Sequence, residues 1–443
     1  MNIGIVSLGC PKNLLDSEIM LGKLQGGHRI VHNLADADVV LINTCSFIEQ
    51  AREESIQMIL ELVEMKKQGT ISYIIVCGCL AQKYWRDLES QIPLIDAMVG
   101  TFSLDKIVEA VNGLVDKKVT QTFVDTKARA LDNYRASRYF LTPTHTKYLK
   151  IAEGCNHTCS FCVIPQLRGP YHSRPLEEIV DEARLLIASG TKELILIAQD
   201  TSYYGVDLSK KLLLPELLRR LNALPGVGWI RVLYTYPNNI TDELIAVFRD
   251  CEHVCKYIDM PIQHSNDTIL KNMHRGITRK KMETIIQTVR RAIPDVVLRT
   301  SVIVGYPGEG YEEFNELLAF IKQVRFERLG AFMYSDEVDT PAYRQKGKVK
   351  RTVIKSRFQD VMLQQQKISR AVNESLIGRE FDVLIDGNSE TEEGYYSGRT
   401  YMDAPDIDCQ ILVEKQGDVV PGSFVRVRVA KGSEYDLEGN VIR

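Results

Sequence analysis

Residues 153 to 162 read Glu-Gly-Cys-Asn-His-Thr-Cys-Ser-Phe-Cys, and the spacing of Cys155, Cys159 and Cys162 constrains the surrounding fold more than any other feature of the chain. Three thiolates so close together need a tight loop leaving a rigid element. A Cys-x3-Cys-x2-Cys loop binds three irons of a 4Fe–4S cubane, and the fourth iron, with no protein ligand, stays open to a substrate. Zinc is the alternative on spacing alone. It wants four ligands around one ion, and His157 would have to be the fourth.

The pattern around the loop says where it sits. From about residue 146 short apolar runs alternate with amphipathic stretches. The expected strands are Lys147–Ala152, Leu194–Ala198, Ile230–Tyr234, Tyr257–Pro261, Val296–Val304 and Arg328–Tyr334. Helical patterns such as Leu176–Ala188 and Tyr311–Val324 separate most of them. Six βα units in a row predict a partial TIM-type (β/α)6 barrel. The cysteine loop then leaves the first barrel strand at its C-terminal end, the face such barrels use for chemistry. Gly154 allows the sharp turn off the strand. A basic helix follows the barrel, with Ile354, Phe358, Val361, Ile368 and Val372 at helical spacing.

Two further regions flank the barrel. Residues 1 to 115 show buried strands at Ile3–Leu8, Asp38–Asn43 and Tyr73–Val76, with helical stretches such as Ala51–Met65 between them. That is a small parallel α/β sheet of flavodoxin-like kind. Residues 116 to 145 lose the pattern and carry Lys127, Arg129, Arg135 and Arg138, which reads as a linker. The barrel with its trailing helix spans 146 to 375. Residues 376 to 443 hold short strands at Phe381–Ile385, Cys409–Val413 and Ser423–Val429 among turn residues, and predict a small antiparallel OB-like barrel.

Cys10, Cys45 and Cys79 are far apart in sequence, yet each follows an expected strand of the first region. In a parallel sheet those strand ends share one edge, where ligands bind. Three thiolates converging there can hold a second cluster with its own open iron; three ordinary buried cysteines are the alternative. Cys77, close to Cys79 in the sequence, is expected to point away from it and is left out. Cys251 and Cys255 lack a third partner, and Cys409 reads as core.

Composition narrows the setting. The chain has 443 residues and ten cysteines, with a net charge of −3. A length of this size predicts two to four domains. Near-neutral charge gives no global pull toward nucleic acid or membrane. No apolar run nears the roughly 18 residues that span a bilayer, and the N-terminus has no basic, signal-like segment. Cysteines in such a chain point to a reducing, cytoplasmic setting and to metal rather than disulfides. There is no Walker-type or Gly-x-Gly-x-x-Gly loop to support nucleotide hydrolysis or Rossmann cofactor binding.

With both trios in view, the chain resembles the radical S-adenosylmethionine (SAM) methylthiotransferase family over nearly its full length. Cys155-x3-Cys159-Ser160-Phe161-Cys162 matches the radical SAM signature, and the C-terminal barrel looks like that family's TRAM domain. Within the family the likeness is greatest to the branch that modifies an aspartate of ribosomal protein twelve of the small subunit. Gly9-Cys10-Pro11-Lys12-Asn13, Gln199-Asp200-Thr201-Ser202, Tyr257-Ile258-Asp259-Met260-Pro261-Ile262-Gln263-His264 and Tyr334-Ser335 carry that likeness. A sister branch acts on an adenosine of transfer RNA and usually has Asn-Val in place of Asp200-Thr201.

The resemblance implies two 4Fe–4S clusters and SAM as cofactors. The first cluster would bind SAM and split it reductively to a 5′-deoxyadenosyl radical, which takes hydrogen from the aspartate β-carbon. A sulfur methylated by another SAM and carried on the second cluster is then captured, so both open irons should face one dry cavity. A reducing flavoprotein or ferredoxin is the implied electron donor. Phe161 is expected near the adenine, Gln199 against SAM or substrate, and Ile303 and Met333 along the adenine, with core packing as the alternative for Phe161, Ile303 and Met333. Arg299 is expected to pair with the SAM or substrate carboxylate, or else to form a structural salt bridge. His264 reads as a satisfied core histidine rather than a pocket wall.

Charge bears on the partner. Residues 376 to 443 contain 14 acids and 7 bases. A module that grips RNA should be basic, so this one suits a basic ribosomal protein. Lys346 to Arg370 holds eight bases and one acid, which keeps direct RNA contact open. The rival readings are a transfer-RNA methylthiotransferase and a non-enzymatic iron–sulfur carrier or scaffold.

Overall fold

The computed structural model describes residues 1–114, 120–125, 137–415, 417 and 419–442. Lys127, Arg129 and Arg135 of the expected linker lie outside the described residues. The chain forms two compact units. The first comprises residues 1–141, 153–157 and 162–172, and the second comprises 142–152, 158–161 and 173–443.

In the first unit, strands β1 (Asn2–Ser7), β2 (Arg29–Ile30), β3 (Val39–Thr44), β4 (Tyr73–Gly78), β5 (Ala97–Gly100) and β6 (Gln121–Phe123) form one sheet in the order β2-β1-β3-β4-β5-β6. Every pairing is parallel. Val39 and Leu41 of β3 pack into one core with Met20, Leu24 and Val111, and Val40 and Ile42 into another with Ile59 and Leu62. Burial on both faces explains why the strand reads as a continuous apolar run rather than an alternation. The chain reverses its direction of travel through the sheet between β1 and β3. At that switch point flavodoxin-like sheets bind ligands beyond the strand C-termini.

One boundary differs from expectation. β6 pairs with β5, so the first sheet reaches past residue 115 into what reads as linker. Three residues are too few to show a period. Arg138, also expected in the linker, forms a buried ion pair with Glu18 at 2.5 Å.

Two-residue strands β8 (Ala152–Glu153) and β9 (His172–Ser173) form a small sheet of their own. In the second unit, β7 (Thr146–Lys150), β10 (Glu193–Ile197), β11 (Trp229–Val232), β12 (Val254–Asp259), β13 (Val297–Val304) and β14 (Arg328–Met333) form a parallel sheet ordered β14-β13-β12-β11-β10-β7. This is the expected partial barrel. The helix Arg351–Ser375 buries Ile354, Val361 and Ile368, and Arg357 reaches Glu309 at 2.7 Å.

The same unit contains a closed barrel of β15 (Glu380–Asn388), β16 (Tyr395–Arg399), β17 (Ile411–Glu414), β18 (Phe424–Gly432) and β19 (Leu437–Val441), in the order β15-β16-β17-β19-β18. It is not wholly antiparallel as expected, because β17 and β19 pair in parallel to close it. Sequence alone missed β16 and β19, whose Gly398 and Gly439 dilute the strand signal.

The small barrel is fastened to the large one by buried charge. TIM-type interiors are filled mainly by branched apolar side chains. Here Glu193 begins β10 and Arg328 begins β14, while Arg231 and Arg299 come third in β11 and β13. Arg231 Nε donates to Glu193 Oε1 at 2.7 Å, and Arg399 Nη1 to Glu193 Oε2 at 2.6 Å. Arg328 pairs with Asp403 at 2.6 Å and Arg299 with Asp408 at 3.2 Å. Tyr257 donates to Asp408 at 2.6 Å, and Arg231 to the Tyr401 carbonyl at 2.7 Å. The segment 399–408 thus meets four charged barrel side chains.

Candidate metal centres

Cys10, Cys45 and Cys79 stand just beyond β1, β3 and within the turn ending β4, at the C-terminal edge of the first sheet. Cys10 is the N-cap of helix Pro11–Leu24, whose N1 is proline. Cys79 is the first residue of helix Cys79–Gln91, capped by Gly78. Helix N-termini carry partial positive charge and favour thiolates. Gly9, at φ +88°, packs on Cys45: a Cβ there would lie 2.7 Å from the Cys45 Cβ and 3.0 Å from its Sγ. Burial pushes the Cys45 thiol up to about 12; the neighbouring Cys79 and Cys10 push it further, while a backbone hydrogen bond at Phe47 and the Arg168 guanidinium pull against them. Burial likewise raises Cys79, with Arg168 opposing and Cys10 adding to the rise.

Such thiols are poor anions alone and good ligands for a cation, which displaces their protons on binding. Among the described residues no three His, Cys, Asp or Glu side chains close on a single ion. A cubane does not require that, since each thiolate takes a different iron. The donor set and its glycine cradle fit such a group.

Beneath the trio lies a hydrogen-bonded polar layer. Asn43 Nδ2 donates to the Asn13 carbonyl at 2.7 Å and to Ser17 Oγ at 2.9 Å. Asn13 Nδ2 donates to the carbonyls of Thr44 at 2.9 Å and Leu8 at 3.1 Å. Cys77, by contrast, packs in the core. Strand alternation is not the reason, since residues two apart share a face; Cys77 lies within β4, whereas Cys79 already begins the following helix.

The second trio is the loop at 155–162. Cys155 N donates to the Gly169 carbonyl at 3.1 Å, and Asn156 Oδ1 accepts from Tyr171 N at 2.9 Å. Gly154, at φ +80°, turns so close to the returning chain that a Cβ would meet the Pro170 carbonyl oxygen at 2.0 Å. Cys155 and Cys162 belong to the first unit, as do Cys10, Cys45 and Cys79, so that unit holds five of the six cysteines. Within it Cys79 packs against Val163, the residue after Cys162, and against Leu167. Cys159 belongs to the second unit, where Arg275 Nη1 donates to its sulfur at 3.4 Å. Arg275 also lies over the Tyr236 ring at 4.3 Å. Ser160 Oγ is within 2.7 Å of Tyr306 Oη and donates to the Asn272 carbonyl at 2.7 Å.

The remaining expected residues fall unevenly. Phe161 and Ile303 meet in one apolar cluster with Ile269, Met273, Tyr306, Ala342 and Tyr334. Gln199 lies two residues past the end of β10 and is half-buried. Next to it Asp200 caps a short turn, accepting from Ser202 Oγ at 2.6 Å and Tyr203 N at 3.2 Å. Met333 ends β14 half-buried; strand alternation puts it on the face opposite Arg328, Gly330 and the exposed Phe332. Arg299 is held by Asp259 at 2.8 Å and Asp408 at 3.2 Å, the structural salt bridge given as its alternative reading. His264 is fully buried, its Nδ1 accepting from Asn266 N at 3.0 Å, a core histidine. Cys409 lies just ahead of β17 and is half-buried rather than core. Sequence reasoning missed Arg168 and Arg275, each close to a cysteine sulfur. A lone arginine carries no motif, and only Arg168, six residues after Cys162, offered a signal by position.

Comparison with known proteins bears on these sites. Residues 149–321 match the radical SAM superfamily model, residues 2–100 an uncharacterized protein family, UPF0004, and residues 377–442 the TRAM domain. The chain is 46% identical over 440 residues to a ribosomal protein uS12 methylthiotransferase RimO of Lachnoclostridium phytofermentans, covering 99% of each chain. It is 44% identical over 446 residues to the protein of the same name from Clostridioides difficile, covering 100% of this chain and 99% of that one. Among solved structures it is similar in fold to the radical SAM methyltransferase TsrM of Kitasatospora setae, with TM-score 0.55 and 12% identity over 84% of this chain and 90% of that one. The cobalamin-dependent SAM radical enzyme OxsB aligns with TM-score 0.51 and 13% identity, over 77% of this chain and 54% of that one.

Proposed function

This chain belongs to the RimO family of ribosomal protein uS12 methylthiotransferases, and on that premise we propose that it installs a methylthio group on the β-carbon of an aspartate of uS12. It is a radical SAM enzyme, and that class brings a 4Fe–4S cluster and SAM. The observation that carries the reading is the end-to-end likeness, 46% identity covering 99% of both chains, to a protein of that name.

Cys155, Cys159 and Cys162 would hold the SAM-binding cluster, and Cys10, Cys45 and Cys79 a second one. When bound, such clusters with SAM supply radical chemistry able to break an unactivated C–H bond, which no side-chain base can do beside a carboxylate at neutral pH. The chain's own residues hold and shield. Three thiolates per site leave one iron position for a non-protein ligand. Phe161 and Ile303 offer an apolar wall for an adenine, and Gln199 a polar group at the strand end used by barrel active sites. Ser160, bonded to Tyr306 and Asn272, fixes the loop between Cys159 and Cys162. Within the first unit, Cys79 packs against Val163, the residue after Cys162.

A basic protein substrate agrees with the acidic TRAM segment. Asp386, Asp403 and Asp408 are engaged internally, with Arg399 among their partners, and the remainder stays acidic. The basic helix is partly paired, Arg357 with Glu309 and Arg370 with Glu374 and Glu434. A flavoprotein or ferredoxin would supply electrons. A cytoplasmic setting accords with ten free cysteines; no helix among the described residues is long and apolar enough to cross a membrane.

Mass spectrometry of uS12 and of transfer-RNA nucleosides from cells lacking this gene, with and without the gene restored, tests the reading. The methylthio group should vanish from uS12 and return on complementation. Unchanged uS12 would remove the reading, and loss from transfer RNA instead would move the chain to the adenosine-modifying branch.

A further inference from the structure

Arg168 is the last residue of the short helix Ile164–Arg168 that follows Cys162. Its side chain runs from the cysteine loop of the barrel to the other cysteine trio. Nη2 donates to Cys79 Sγ at 3.6 Å and to Asn13 Oδ1 at 2.6 Å. Nη1 donates to Asp16 Oδ2 at 2.5 Å and lies 3.5 Å from Glu153 Oε2. All of these residues belong to the first unit. Arg168 is almost wholly buried, 6% exposed. The fold holds it firmly: Thr101 Oγ1 donates to the Leu167 carbonyl, Leu167 packs on Cys79, and Gly169 ends the helix at φ +75°.

A guanidinium is always charged, and a fixed fork of donors is costly to bury without a task for each. Two donors are satisfied by Asn13 and Asp16. The third contact is a sulfur. Hydrogen bonds to cluster sulfurs and net local charge are among the factors that set an iron–sulfur potential.

We propose that Arg168 is a positioning residue for the N-terminal cluster: it orients Cys79 and raises the cluster's one-electron reduction potential by donating to that thiolate, with Asp16 partly offsetting its charge. The proposal rests on the reading that Cys10, Cys45 and Cys79 hold a cluster. It makes the barrel's cysteine loop supply the charge that tunes the other site. Reduction adds one electron to the cluster and no proton, so a nearby fixed cation favours the reduced form.

The test uses the full chain with Cys155, Cys159 and Cys162 changed to Ala, reconstituted anaerobically with iron and sulfide and titrated with dithionite under electron paramagnetic resonance. Arg168→Gln should lower the midpoint so that the reduced fraction at a fixed potential falls about tenfold, about 59 mV for a one-electron couple. Arg168→Lys should restore part of the shift, because it keeps the charge and loses the fork. Asp16→Asn should move the midpoint the opposite way. An unchanged midpoint in Arg168→Gln overturns the proposal. If Arg168→Gln assembles no cluster, Asp16→Asn decides: an upward shift supports the proposal, and no shift or a downward one overturns it. If the parent triple-Ala chain takes up no iron, the cluster reading itself fails, and the proposal with it.

Discussion

Cys155, Cys159 and Cys162 come from one short loop, whereas Cys10, Cys45 and Cys79 come from the ends of three strands that only the folded sheet brings together. The loop is specified locally. Gly154 and the Cys155 hydrogen bond to Gly169 set its turn, and it would keep its spacing in any barrel that supplied a strand end. The dispersed trio depends on β1, β3 and β4 being neighbours, and on Asn13, Ser17 and Asn43 joining their ends from below. One set is a motif and the other is a consequence of topology. The two should therefore fail in different ways.

Removing each trio is the strongest way to break the comparison. Cys155, Cys159 and Cys162 to Ala should abolish reductive cleavage of SAM, measured as 5′-deoxyadenosine release. Cys10, Cys45 and Cys79 to Ala should leave that release in place and abolish methylthio transfer. Each set should lower the iron content from about eight to about four per chain; unchanged iron on loss of the dispersed trio would show that it holds no cluster.

A global loss of stability should be separable from both. Glu193→Ala leaves Arg231 and Arg399 buried without their shared carboxylate. Breaking a buried pair in this way costs about 3–5 kcal/mol, read as a lower denaturant midpoint. The iron stoichiometry of correctly folded material should not change.

Gly154→Ala and Gly9→Ala sharpen the contrast at smaller scale. A side chain at such positive φ costs about 1–2 kcal/mol before any clash. In Gly154→Ala the new methyl meets a backbone carbonyl, so SAM cleavage should drop several-fold while N-terminal iron persists. In Gly9→Ala it meets Cys45, so the loss should fall on the dispersed site. Equal losses at both sites in either variant would mean that the trios are not assembled independently.

The smallest expected effect is a pH dependence. Burial alone would raise the Glu193 carboxyl, but Arg399 and Arg231 outweigh it and hold the group below its ordinary value. Its contribution to stability is thus complete above the unfolded value of about 4.3. It is lost as pH falls through the lower folded value. Glu193→Gln should flatten that acid limb in urea melts taken at successive pH values.

The same contrast explains what could be read without coordinates. The loop motif and the βα rhythm are local signals, and the six parallel barrel strands follow from them. The dispersed trio was legible because Cys10, Cys45 and Cys79 each follow a strand signal. β6, β16 and β19 were not, being short or glycine-bearing. Arg299 was legible only as one of two readings, because the sequence does not show that Asp259 and Asp408 close on it. Arg168 was invisible for a related reason: its meaning comes from Cys79, which precedes it by 89 positions.

Segment 399–408 has a consequence for how such chains can be rearranged. Because Arg231, Arg299 and Arg328 find their counter-groups or carbonyls there, the C-terminal module works as a keystone rather than an appendage. A shortened chain ending before residue 376 would leave Arg328 without its Asp403 partner and take from Arg299 and Arg231 their second contacts, Asp408 and the Tyr401 carbonyl. Grafting a foreign C-terminal module would require rewriting the arginines together with the graft, so large and small barrels should be inherited as a pair.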